Sequence, residues 1–394
     1  MISGQVVLRK GREESVLRRH PWIFSGAIQH ADRGLIDGDW VEVLNAAGQT
    51  LGYGHYQRGS IAVRLLAWGK NAPANDFWLN KLTEARDLRK WLNLPSHFTN
   101  AFRLVHGEGD GLPGLIIDYY NGVAVMQAHS AGMHRNRHTI TEALVAVMGD
   151  ALHAVYYKSR GTLPAELREQ ATDEYLIGNA NTPHQILENN CRFEVNWTDG
   201  QKTGFFLDQR DNRSIVASLC KGRSVLNTFC YTGGFSVYAL KAGALRVDSI
   251  DASARAVELT KVNLQLNGFD SETNLCLAED AFDYLEQAAG KYDVIVLDPP
   301  AFAKHREAKH QAVKGYQRLN ALAFKNIRSG GIVATFSCSQ VIDRQLFYDT
   351  VVSAAVQAGR NIRVLLRLSQ PPDHPVSAYH PEGEYLKGLI LSVI

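Results

Sequence analysis

The alternation of apolar and polar residues changes rhythm twice along the chain. Up to residue 72, short apolar runs at 6–8, 40–44, 50–54 and 61–65 are separated by Gly-rich or Asp-Gly segments. Runs of that length between glycine turns predict strands of a small barrel or open β-fold. Residues 69–75 (GKNAPAN) read as a linker. From 76 to 190 the signals mix. Residues 77–94 have helical spacing, with Leu82, Ala85, Leu88 and Leu92 on one face and Pro95 closing the run. A turn enters a strand over 111–118, 123–127 is its hairpin partner, and a helix at 136–148 and a strand at 154–157 complete an α+β unit. Over 191–394 apolar runs at 224–226, 247–250, 275–277, 294–297 and 332–336 alternate with helical patterns at 234–242, 253–267, 280–288, 311–328 and 343–358, before two closing strands. Near-continuous apolar strands between helices predict a parallel sheet covered on both faces, hence a doubly wound α/β domain with its ligand at the carboxyl ends of the strands. The expected division is 1–72, 76–190 and 191–394.

Composition narrows the class. At 394 residues the chain is long for one domain, and 45% hydrophobic with 21% charged residues excludes the disordered and collagenous classes. A formal charge of +2 does not by itself call for nucleic acid. No run approaches the ~18 apolar residues of a membrane helix, and the N-terminal segment turns polar too soon for a signal peptide. The expectation is a cytoplasmic protein with no membrane partner. Cys191, Cys220, Cys230, Cys276 and Cys338 are odd in number and form no C-x-x-C pair, so neither a metal site nor a disulfide framework is expected.

Three segments carry candidate chemistry. In 225–236 (VLNTFCYTGGFS) a strand ends in a loop with Gly233 and Gly234, and a helix begins. Paired glycines let backbone N–H groups approach a ligand closely. Asp251 ends the next strand, 17 residues after Gly234 and placed for ribose hydroxyls, and Asp280 follows the third strand. Each is an ordinary strand-end turn when taken alone; the three in this order point to a cofactor. In 293–302 (DVIVLDPPAF) a hydrophobic strand ends in Asp298, Pro299 and Pro300, and the prolines remove two backbone donors and stiffen the loop. In 330–340 (GGIVATFSCSQ) Cys338 stands just past the next strand. A lone cysteine is more often packing, but the flanking Ser337 and Ser339 and the place one loop after Asp-Pro-Pro favour a nucleophile. Cys230, inside the glycine loop, fits packing or cofactor contact, and Cys191, Cys220 and Cys276 fit packing.

These residues carry a resemblance. Residues 222–340 resemble the class I S-adenosylmethionine-dependent methyltransferases, and the Asp-Pro-Pro with Ser-Cys-Ser pair resembles the pyrimidine-C5 RNA methyltransferases. Residues 200–213 (GQKTGFFLDQRDNR) resemble the signature of one subfamily, which joins an N-terminal PUA domain, a central α/β domain and the catalytic domain. Over the whole chain the similarity is to the RlmI-type bacterial 23S ribosomal RNA 5-methylcytosine methyltransferases. The resemblance implies a β-barrel-like, RNA-binding PUA domain over 1–72 and S-adenosyl-L-methionine as cofactor. Its contacts would come from Thr228, Phe229, Cys230, Tyr231, Gly233, Gly234, Asp251, Ala252, Ser253, Asp280, Ala281 and Arg210. Cys338 and Asp298 would be catalytic, Pro299, Pro300, Lys304 and Lys314 would meet the substrate, large-subunit ribosomal RNA, and no metal would take part. Oligomeric state is open, a homodimer being one option. Two positions depart from the pattern: Ala301 fills the slot where two-cysteine RNA m5C enzymes carry their second cysteine, and Asn227 stands where many relatives have Asp.

The implied chemistry is covalent. A thiolate adding at carbon 6 of a pyrimidine makes carbon 5 nucleophilic enough to take a methyl group. Asp298 would accept from cytosine N4, which disfavours uracil, and the target base must leave its stack. Over 302–328, Lys304, Arg306, Lys309, Lys314, Arg318, Lys325 and Arg328 face a single acid, Glu307, with His305, His310 and Tyr316 interleaved. This is either a solvated helix face or a phosphate-contacting one; Arg9, Lys10, Arg12, Arg18, Arg19 and Trp22 are candidates to extend it. Two other readings stay open. One is an m5U or base-amine methyltransferase, and the other a ribosome-assembly binding protein with a vestigial cofactor site.

Overall fold

The computed structural model describes residues 2–270, 272–303 and 305–394. They form two compact units: 2–186 with 195–205 and 372–383, and 187–194 with 206–371 and 384–394. Among the described residues no helix is long and apolar enough to cross a membrane.

The first unit contains two sheets. Six strands run in the order Trp22–Phe24, Ile61–Trp68, Thr50–Tyr56, Trp40–Leu44, Gly4–Leu8 and Ile28–Ala31. Gly4–Leu8 and Trp40–Leu44 pair in parallel, and the other neighbours are antiparallel. Alternate residues Val6, Leu8, Val41, Val43, Val63 and Leu65 close over one core, as period-two patterning requires. The predicted strands of this segment all form. Trp22–Phe24 and Ile28–Ala31 were not predicted, because three and four residues are too few to establish a period. Five further strands run in the order Glu174–Ile177, Ala154–Tyr157, Val123–Ala128, Leu115–Tyr120 and Ala101–His106. The predicted hairpin is the antiparallel pair Leu115–Tyr120 and Val123–Ala128.

The helix Phe77–Trp91 buries Trp78, Leu82, Ala85 and Arg89; of the expected stripe Leu82 and Ala85 are in the core, Leu92 packs against it half-buried, and Arg89 rather than Leu88 is fully inside. Arg89 is fully buried and bonds Asp110, Arg103 O and Asp373 O. These partners make burial of its guanidinium tolerable. Arg103 N donates to Asp373 Oδ2 at 3.0 Å. Gly109 is required where residues 372–383 pass, since a Cβ there would lie 1.9 Å from Pro375 O.

The second unit is the expected doubly wound domain. Its strands, in chain order, are β1 Ser224–Thr228, β2 Arg246–Asp251, β3 Cys276–Ala278, β4 Val294–Leu297, β5 Gly331–Ser337, β6 Ile362–Leu368 and β7 Lys387–Val393. They assemble as β3-β2-β1-β4-β5-β7-β6. The first five are parallel, but β7 enters antiparallel between β5 and β6. The sheet is therefore mixed, not wholly parallel, because strand direction leaves no trace in apolar periodicity.

Beneath the loop after β1 lies a buried charge cluster. Arg213, on the helix Arg210–Ala217, donates to both Glu188 oxygens at 2.9 Å and to Phe206 O at 3.0 Å, and Tyr238 OH donates to Glu188 Oε1 at 2.9 Å. Burial pushes the Glu188 carboxyl upward while the Arg213 guanidinium pulls it back. Removing one partner of such a pair strands the other charge. Glu188→Ala should lower the stability of the second unit by about 3–5 kcal/mol, read from its urea midpoint. An unchanged midpoint would mean that the cluster carries none of the unit's stability.

Candidate active site

The carboxyl ends of β1, β2, β4 and β5 gather most of the sequence-selected residues along one edge of the sheet, because parallel register sets Thr228 level with Ile250 and Leu297, and Leu297 level with Thr335. Thr228 is buried, and its hydroxyl donates to Val296 O at 2.8 Å, tying β1 to β4. The chain then turns sharply. Phe229 and Tyr231 take φ of 55° and 48°, and Gly233 takes 73°. Left-handed conformations in bulky residues are strained and cluster at ligand sites. A Cβ on Gly233 would lie 2.8 Å from Thr260 Cγ2, so both backbone and space demand glycine there. Gly234 opens the helix Gly234–Lys241 above Arg213, whose Cδ would sit 3.0 Å from an added Cβ.

Asp251 faces this loop. Its oxygens accept Tyr231 N–H at 3.0 Å and Ser253 N–H at 2.9 Å, which fixes the carboxylate and leaves lone pairs for ribose hydroxyls. Ala252 and Ser253 are exposed, and Ser253 caps the helix Ala254–Leu266. Asp280 caps the helix Ala281–Glu286 by accepting from Phe282 N and Asp283 N, and Ala281 is buried. Arg210 is buried, with Nε 3.3 Å from Asp211 Oδ1. Asn227 donates to Ser236 Oγ at 2.8 Å, while its Oδ1 is buried with no partner among the described residues. An orphaned acceptor at the end of β1 and a preset carboxylate at the end of β2 fit S-adenosylmethionine, which offers an amino group and ribose hydroxyls.

Asp298 follows β4, half-buried, and accepts Gln209 Nε2 at 2.9 Å. Gln209 in turn accepts Asn212 Nδ2 at 2.7 Å, so the 200–213 signature supplies the group that orients Asp298. Pro299 is buried and Pro300 exposed. Cys338 follows β5, half-buried, between Ser337, which donates to Tyr316 OH at 3.0 Å, and Ser339, which donates to Ala303 O at 2.7 Å. Elsewhere burial pushes the Cys191 thiol up to about 11, those of Cys220 and Cys230 up to about 12, and that of Cys276 upward. Such thiols are poor nucleophiles.

Lys387 escaped the sequence reading. It lies opposite Ser337 in the β5–β7 pairing and is 3% exposed. Its ammonium donates to Ser339 O, on the residue after Cys338, and to Tyr385 O on its own segment, both at 2.7 Å. Burial pushes it down to about 8, against the attraction of a Cys338 thiolate. The only sequence signal is a lysine inside an apolar run, Leu386 to Leu391.

Not every basic residue serves an open surface. Lys314 is exposed on the helix Lys309–Asn326, and Lys304 lies outside the described residues. Tyr316, expected among the RNA-facing residues, is fully buried on that helix. Arg328 pairs with Asp293 at 2.9 Å, and half-buried Trp22 donates its indole N–H to Glu108 at 2.9 Å.

Comparison with known proteins agrees with this layout. Residues 102–389 match the family described as S-adenosylmethionine-dependent methyltransferase, and residues 6–68 match the PUA-like domain. The chain is 41% identical to ribosomal RNA large subunit methyltransferase I of Pseudoalteromonas atlantica, covering 100% of both chains. It is 39% identical to the protein of the same name in Aeromonas hydrophila, covering 99% of each. In fold it is similar to a protein assigned as a SAM-dependent methyltransferase from Streptococcus mutans (TM-score 0.83, 23% identity, 100% of both chains). A second assigned methyltransferase, solved in complex with SAH, has a TM-score of 0.85 at 24% identity, again over 100% of both chains. Full-length identity at this level together with the glycine loop and strand-end carboxylates leads to one assignment: the chain belongs to the S-adenosylmethionine-dependent methyltransferases, in the ribosomal RNA large subunit methyltransferase I family.

Proposed function

We propose that this protein methylates carbon 5 of a cytosine in large-subunit ribosomal RNA, in the cytoplasm, through a covalent adduct at Cys338. The observation that carries the reading is the buried Lys387 ammonium beside Cys338, on the same sheet edge as Asp298. Among the described residues Lys387 bonds backbone carbonyls, and Cys338 acts on it more strongly than the acids Asp343 and Glu384, so a Cys338 thiolate is its natural counter-ion, and an ammonium has a third N–H to offer it.

Bound S-adenosylmethionine supplies an electrophilic methyl group. Cys338 Sγ bonds to carbon 6 and its electron pair moves through the ring to carbon 5, which takes the methyl. Water or a carboxylate then takes the carbon 5 proton, its C–H electron pair re-forms the C5–C6 double bond, the Sγ–C6 bond breaks, and the thiolate is restored beside Lys387. Asp298, held by Gln209, accepts from the exocyclic amine and so selects cytosine. Asp251 holds the ribose, and Lys304 and Lys314 follow the phosphates near the flipped base. Residues 1–72 add an RNA-binding module. Uridine is the alternative base, since one cysteine suffices for it.

Three outcomes are expected. In Asp251→Ala, S-adenosylmethionine affinity measured by calorimetry should fall by about 1–3 kcal/mol; unchanged affinity removes Asp251 from the ribose role, and no heat in the parent protein favours a binding protein with a vestigial site. Cys338→Ala should bind cofactor and RNA yet transfer no methyl group. The parent should form a denaturation-resistant adduct with 5-fluorocytosine RNA, because fluorine cannot leave as a cation. A cross-linked peptide containing another cysteine, or methylation by Cys338→Ala, would refute the assignment. Finally, Lys387→Met should move the midpoint of Cys338 alkylation by iodoacetamide upward by about one pH unit or more, with Lys387→Arg close to the parent. The sign follows from the charge: below about 8 Lys387 is an ammonium that favours the thiolate, and the variant lacks it. Identical profiles for all three proteins would separate Lys387 from the thiol.

A further inference from the structure

The first unit holds a second cluster of reactive side chains that the methylation chemistry does not use. His380, in the segment 372–383, is 3% exposed, and neither ring nitrogen has a hydrogen-bond partner among the described residues. An unmade bond at a buried polar atom costs about 1–3 kcal/mol, so an imidazole with two of them is anomalous unless something binds it. Its neighbours suggest what. Glu382 Oε2 lies 3.9 Å from His380 Nε2, and Glu382 Oε1 lies 3.7 Å from His20 Nε2. One donor atom from each of the three residues falls within 4.8 Å of the others.

We infer that His20, His380 and Glu382 form a binding site for a divalent transition-metal cation, with zinc the best match to two imidazoles and one carboxylate. Three protein ligands of this kind with a fourth position left to water are a common zinc set. Imidazole with carboxylate excludes the soft, thiolate-seeking ions and is a poor match for magnesium or calcium, which take oxygen. Zinc bonds of about 2.0–2.2 Å in a tetrahedron need donors about 3.3 Å apart. Glu382, whose side chain is 56% exposed, reaches that spacing from the two imidazoles by a small swing from its present 3.7 and 3.9 Å.

The surroundings favour a cation. Glu108, fixed by the Trp22 indole N–H, is a second carboxylate acting on His380. Two carboxylates, Glu108 and Glu382, bring negative charge to the cluster for a divalent ion to offset. Trp22 lies against His380 at 4.3 Å between ring centres and walls one side. His20 Nδ1 lies 3.1 Å from Trp22 N and 3.3 Å from Trp22 O, so the backbone of Trp22 holds the ring with its Nε2 toward Glu382. A metal here joins the strand Trp22–Phe24 to the segment 372–383. Cysteine spacing could not reveal it, since the donors are histidines and a glutamate from the two ends of the chain.

The test uses the full-length protein, stripped with EDTA, dialysed and titrated with zinc chloride by calorimetry, with a thermal melt in parallel. One zinc per chain is expected, with a rise in melting temperature, and Glu382→Gln and His380→Phe should each weaken binding by about tenfold or more. Glu382 is exposed, so Glu382→Gln reports even if His380→Phe does not fold. Absence of stoichiometric zinc, leaving His380 to titrate alone, overturns the site. So does equal affinity in Glu382→Gln, which would place the zinc on the thiols.

Discussion

A lysine ammonium cannot be taken out of water without an anion or the loss of its proton. Lys387, on the antiparallel strand β7, is held in that position. The constraint explains features of the second unit that otherwise look unrelated. Strand β7 must enter between β5 and β6 in the reverse direction, because that register puts Lys387 opposite Ser337. The turn after β5 must then keep Ser339 O and the Cys338 thiol close to the ammonium. Ser339 holds this turn from its other side through Ala303 O, in the segment that follows Asp-Pro-Pro. Sheet topology and loop geometry are therefore tied to a single buried charge.

A second buried charge works in the same manner under the glycine loop. Arg213 cannot leave Glu188 without stranding it, and Gly234 packs on the arginine stem. The strained turn at Phe229 and Tyr231 rests on that platform and is fixed from the front by Asp251. Strain in a loop persists only where its surroundings over-determine it, and two ion-bearing side chains on opposite sides do so here.

Much of this frame was legible before the coordinates. Strand β4 is an uninterrupted apolar run followed by Asp and two prolines, and β1, β2 and β5 form around the shorter apolar runs that marked them. The residues that could not be read share one property: their surroundings contradict their chemical type. Arg89 rather than Leu88 is buried on its helix, and Lys387 sits in an apolar strand. The helix Lys309–Asn326 shows the opposite error. Tyr316 was read as part of its charged surface, but helical phase puts Ala312, Tyr316, Leu319 and Ala323 inside and leaves Lys314 and Arg318 outside. The site residues that were legible stand at strand ends, where sequence order and spatial order coincide.

Neither unit is a continuous piece of chain. The first unit is complete only with residues 372–383, where Asp373 accepts from Arg89 and Arg103. Synthesis therefore matters to folding. At about 5–20 residues per second, the ribosome takes about 10–40 s to go from the end of the first long segment to the last piece of that unit. Throughout that interval Arg89 has a guanidinium without its final carbonyl, and Gly109 faces the space where Pro375 will pass. Residues 372–383 and Lys387 thus emerge close together, and a nascent chain stalled before residue 372 would carry neither a sealed first unit nor the lysine of the second.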